Sequence, residues 1–98
     1  MFVSAEPEAL ATAAGSLTGL GATMAGSNAA AAPSTITVMP AASDEVSALT
    51  ALQFSTHGGM YQAVGAVAQV VHEMFAATMA TSGASYAATE AANVIANS

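Results

Sequence analysis

Two histidines, six carboxylates and a scatter of hydroxyl groups carry whatever chemistry this chain can perform. His57 and His72 stand fifteen positions apart, so on one helix they are far from each other, whereas zinc needs three or four ligands converging at bonding distance. They read as polar spots at a helix interface. His72 and Glu73 are neighbours that point in different directions on a helix, so they make no acid/base pair. Among the serines and threonines none sits in a G-x-S-x-G turn, and no glycine-rich phosphate loop follows a strand. Neither a catalytic residue nor a metal site nor a cofactor follows from these residues, and an enzyme is the reading with least behind it. One pair is left. In "SGASYAATEAANVIANS" the spacing of Tyr86 and Glu90 places them on one helical face, one turn apart. A ring packed at the end of a bundle beside a solubilising charge accounts for them, and so does a receptor that touches both.

Composition limits what can hold such a pair in place. Of the 98 residues 27 are Ala, so a hydrophobic content of 54% overstates the core, because a methyl group contributes little burial energy. A chain of this length is one domain at most, and a surface-dominated one. It has no Lys and no Arg, and its formal charge is −6. Binding nucleic acid or anionic lipid by neutralising phosphates is thereby excluded, and a partner with a basic face suits the chain better. There is no Cys for disulfide or thiolate chemistry. The start, "MFVSAEPEAL", lacks the positive and apolar regions of a secretory signal peptide. No run of 18 residues stays free of polar side chains, which argues against a membrane helix. These features suit a cytosolic protein, or one exported by a different signal.

The elements that position these residues read as two helices. Pro7 fixes φ for a first turn and Glu8 lies at the positive end of the helix dipole, so helix one is expected over about 7–32, ended by Pro33. Its stripe is Leu10, Ala13/Ala14, Leu17, Leu20/Gly21, Met24, Asn28 and Ala31/Ala32. Residues 33–43 read as an extended connector from which Ile36 and Val38 pack back. Ser43 or Asp44 then caps helix two, expected over about 44–80. Its stripe is Val46, Leu49, Gln53, His57, Met60/Tyr61, Val64, Val67/Ala68, Val71, Met74/Phe75 and Thr78/Met79. The opposite face, with Ser47, Ala51, Ser55, Gly58, Gln62, Gly65, Gln69 and Glu73, is small and polar enough to face water. Gly58 and Gly59 either kink the helix or admit another backbone, and a helix continuous through them is expected. Gly15 and Gly19 form a G-x-x-x-G, which in a soluble helix marks close packing or chance. A second helix of about 55 Å against a first of about 39 Å leaves apolar surface that its mate cannot cover. A foreign apolar partner is expected along helix two.

The ordered set of Pro7-Glu8 near the start, an Ala-rich first helix, "NAAAAPSTITVMPAASDEVSAL" across the turn, "YQAV" and "HEMF" in helix two, and "SYAATEAAN" at the end resembles the amino-terminal domain of the mycobacterial PE family. The resemblance covers the whole chain. The start lies a residue short of the common form, and longer members continue into extensions from which nothing is carried over. The resemblance implies an all-α, antiparallel two-helix hairpin that completes an elongated four-helix bundle with a PPE-family protein. It also implies export of the pair by a type VII secretion system. The family's Y-x-x-x-[D/E] export motif is matched here by Tyr86 and Glu90 in a tail over 81–98. A dedicated chaperone contacts the PPE partner in that family, so no residue is assigned to it. The expected partner interface is Leu10, Leu17, Leu49, Phe54, Met60, Tyr61, Val64, Val67, Val71, Met74 and Phe75. The protein would be cytoplasmic before export, then secreted or held at the cell surface. The alternatives are a homo-oligomeric helical bundle and an envelope or outer-membrane transport component.

Overall fold

A computed structural model describes residues 4–98. It contains two helices, α1 (Pro7–Ile36) and α2 (Glu45–Ala96), and no strand among the described residues. The fold is all-α. Its contacts fall into two units: a hairpin unit, Ala22–Val70, and a terminal unit made of the chain up to Gly21 together with Val71–Ser98.

α1 begins as expected, with Pro7 at the first helical position, Glu8 in the first turn and the Glu6 carbonyl accepting the first bond, from Leu10 N at 3.2 Å. Its end is different. The helix does not stop at Pro33 but runs through it to Ile36. Proline removes one donor and crowds one carbonyl, a cost confined to the last turn. Side chains satisfy the carbonyls there: Ser34 Oγ donates to Ala31 O at 3.1 Å, and Thr35 Oγ1 to Ala31 O at 2.9 Å and Ala32 O at 3.3 Å. The Ser-Thr pair that reads as extended backbone instead closes the helix.

At the start of α2 the cap is Asp44. Its Oδ1 accepts Ser47 N at 2.8 Å, its Oδ2 accepts Ser47 Oγ at 2.9 Å, and its carbonyl takes Ala48 N. The bond from the Ser47 amide, then that from the Ser47 hydroxyl, holds this carboxyl below its ordinary value. The helix passes Gly58 and Gly59 unbroken and continues past residue 80, the expected end, to Ala96. Six alanines after residue 83, the best helix formers, and the absence of any proline beyond Pro40 explain the extension.

The face of α2 that meets α1 is the reverse of the expected one. In the hairpin unit its covered residues are Ser47, Ala51, Ser55, Gly58, Gln62, Gly65 and Gln69, at steps of four and three. They are the small and polar residues expected to face water; of that set, Glu73 alone is fully exposed. The cause is distance between backbones. A methyl group on Gly58 would collide with the carbonyl of Thr35, and one on Gly65 would come within 3.2 Å of the Asn28 amide nitrogen. No large side chain fits such a seam. The polar members find partners: Gln62 Nε2 donates to Asn28 O at 2.9 Å, Tyr61 OH to Asn28 Oδ1 at 3.3 Å, and Ser55 Oγ accepts Val38 N at 3.0 Å. That last bond ties the connector back onto the hairpin, as Val38 was expected to do.

In the terminal unit the covered residues of α2 are His72, Ala76, Met79 and Gly83, set against Pro7, Leu10, Ala13, Ala14, Leu17 and Gly21 of α1. His72 Nε2 donates to the carbonyl of Leu17. Gly83 approaches the Pro7 carbonyl and the Leu10 side chain closely enough that a Cβ would lie 3.2 Å from each. The stripe expected on α1 does face its mate, except that Leu20, Met24 and Ala31 are exposed. Gly15 and Gly19 mark no close approach, since a methyl group on either would meet nothing within 4 Å. The buried apolar residues are Ala14, Ala51 and Ala76, three methyl groups in place of a core of large side chains.

Candidate functional site

The seam takes the small residues, so the large ones lie outside it. In the hairpin unit Leu49, Phe54, Met60, Tyr61, Val64 and Val67 are all more than half exposed, and Val46, Leu52 and Val70 join them. Val71, Met74 and Phe75 are equally open in the terminal unit. Leu10 and Leu17 differ from the rest of the expected interface, being half-covered in the seam against α2. Full burial of each large side chain is worth roughly 1.5–3 kcal/mol, so this face holds most of the hydrophobic energy that the chain leaves unused. Exposure of large apolar side chains on that scale is a property of binding surfaces.

One shoulder of the hairpin unit is concave. Phe54, His57 and Tyr61 of α2 face Asn28 and Thr35 of α1 and Val38 of the connector across an open cleft of about 440 Å³. The sequence reading passed over this cleft, although Phe54, His57 and Tyr61 recur at steps of three and four beside Gly58, the residue that lets Thr35 come close. Its lining is mostly apolar, with a few polar tips. A large side chain fits it, and no nucleophile and base are paired within it. Among the described residues no three of His, Cys, Asp and Glu gather as a metal site would require.

Tyr86 and Glu90 lie on the helical part of the terminal unit, both exposed, within the stretch expected to be a tail. Tyr86 is 45% exposed and borders a shallow depression with Ser82, Ser85 and Thr89. Pro7 packs against Gly83, three residues before Tyr86, so the Pro7-Glu8 pair and the Tyr86–Glu90 pair belong to the same end of this unit. Helix α2 also contains an 18-residue window of mean hydropathy 1.3, long and apolar enough to cross a membrane by length and composition.

The profile of the PE family matches residues 3–93. This chain belongs to the PE family. PE family protein PE13 of Mycobacterium tuberculosis strain H37Rv is 57% identical over 97 residues, covering 99% of this chain and 98% of that protein. PE8 of the same strain is 48% identical over 92 residues, and PE-PGRS family protein PE_PGRS33 is 50% identical over 92. Each of these matches covers 94% of this PE chain, but only 34% of PE8 and 18% of PE_PGRS33. None of the three names designates an enzyme. The hairpin of this PE chain keeps its large apolar side chains outside the seam.

Proposed function

We propose that this PE protein is the non-enzymatic half of an obligate heterodimer with a PPE-family protein, exported by a type VII secretion system for which Tyr86 and Glu90 form the address. The observation that carries the reading is the outward placement of Phe54, Met60, Tyr61, Val64 and Val67 while the seam is filled by Ala, Ser, Gly and Gln. An apolar helical surface from a partner would cover them and complete a four-helix bundle. With no Lys or Arg in the chain, any ion pair across the contact takes its cation from the partner, a His or the amino terminus. The dedicated chaperone engages the PPE protein and needs no surface here. The pair forms in the cytoplasm and ends in the medium or at the cell surface.

Co-expression with a PPE-family protein, followed by a solubility assay and a native mass, tests the partnership. A soluble one-to-one complex from two chains that are insoluble or poorly structured alone is the expected result. A chain that alone gives a stable monomer or homodimer with a cooperative melt counts against it. Replacing Tyr86 or Glu90 by Ala should leave the complex intact and stop its export. The apolar window in α2 favours a second reading, an envelope component whose helix contacts lipid; a complex that stays soluble without detergent and does not float with vesicles argues against it.

A further inference from the structure

Among the described residues, the last turns of α2 cover no side chain of their own. Gly83 is the last covered residue of the helix, and it packs on Pro7, the first residue of α1. Every residue from 84 to 98 is exposed, yet the helix persists to Ala96. Alanine suits such an overhang, because it propagates a helix at the least cost. Val94 does not. It is β-branched, a weaker helix former, and 70% exposed, as its neighbour Ile95 is at 76%, so neither contributes propensity or burial where it stands. Of the two, Val94 lies four residues after Glu90 and eight after Tyr86, on the same helical stripe.

We infer that Val94 is a third contact of the address, which is recognised as one helical face, Tyr86–Glu90–Val94, laid in a groove of the export machinery. This rests on the proposed export role of Tyr86 and Glu90. The groove has a chemistry fixed by the stripe: apolar walls for the Tyr86 ring and the Val94 methyls, and a basic side chain between them. The cation follows from charge, since a chain without Lys or Arg offers Glu90 no such counter-ion and its formal charge is −6. Helix-in-groove recognition uses anchors at such spacings, and burying the Val94 side chain supplies affinity that the two-residue motif lacks.

The test is export of the co-expressed pair by a mycobacterial host, measured as the fraction in culture filtrate. Val94→Asp should lower that fraction about tenfold, the effect of losing one buried aliphatic contact. Val94→Ala should give a smaller loss, and Ile95→Ala, one position around the helix, should leave export unchanged. Exchanging Thr89 and Glu90 (T89E with E90T) turns the carboxylate by about 100° and should block export as Glu90→Ala does. Recovery of the intracellular complex and its helical circular dichroism should be unchanged in every variant. Wild-type export of Val94→Asp, beside blocked Tyr86→Ala and Glu90→Ala, overturns the inference and spares the export reading. Unchanged export of Tyr86→Ala and Glu90→Ala removes both. Export falling only in step with complex recovery, or a change confined to the native mass of the pair, places Val94 in assembly and also overturns it.

Discussion

The side chains of α2 turned toward α1 are Ala, Ser, Gly, Gln and His, with Met79 the one large apolar exception, and those turned away are Leu, Phe, Met, Tyr and Val. Polarity would assign the two faces the other way round. Size decides instead, because the backbones at Gly58 and Thr35 come too close for any side chain between them. A seam of small residues gains little from the hydrophobic effect, but it needs little, since its polar members are satisfied by carbonyl and amide groups of α1 and the connector. The large side chains are thereby kept for a surface wider than one helix.

Charging the outer face should separate the two faces most clearly. Val64→Asp with Val67→Asp should leave the helices of the chain intact and abolish the proposed PPE complex, since an unpaired charge buried at an interface costs about 3–5 kcal/mol. Pull-down after co-expression reads the outcome; retained binding with weakened helicity would reverse the roles assigned to the faces. The adjacent glycines give the next largest effect, with opposite signs. Gly58→Val should destabilise the complex in a thermal melt, by about 1–3 kcal/mol of overpacking or more. Gly59→Ala should stabilise it by about 1 kcal/mol of helix propensity, since nothing lies within 4 Å of the added methyl. Ser55→Ala, which leaves the Val38 amide without its acceptor, should cost about 1 kcal/mol in the same melt. The smallest effect belongs to Asp44. Its carboxyl titrates below the ordinary value of 3.8, so its stabilising contribution is complete above that value and disappears as pH falls through the lowered one. Acid melts of the complex should show a pH-dependent loss that Asp44→Asn reduces.

How much of this was legible in the sequence depended on whether size and polarity agreed. They agree on α1, where Leu10, Ala14, Leu17 and Asn28 were expected on the inner stripe and lie there. They disagree on α2, where ranking by hydrophobicity selected Val64 and Phe75 for the stripe and left Gly58 and Gly65 to water. The signal that resolves the conflict was present, since Ala51, Ser55, Gly58, Gln62 and Gly65 recur at steps of four and three, and two glycines on such a stripe mean close backbones. Helix ends were harder to read. Pro33 gave no hint that Ser34 and Thr35 would satisfy the carbonyls around it, and the alanines after residue 83 looked like a tail. The Tyr86–Glu90 spacing was legible as geometry; the export role proposed for it came from family resemblance, because both residues are exposed and their spacing alone names no receptor.

Gln62 and His72 donate to main-chain oxygens, those of Asn28 and Leu17. Such acceptors belong to the peptide link itself and survive any exchange of the residue that bears them. Mutational drift along α1 can therefore proceed at those positions without unfastening the two helices, so long as α2 keeps its Gln and its His. At these two points α2 supplies the donor side chain and α1 only its main chain, which leaves α1 freer to be rewritten for different company.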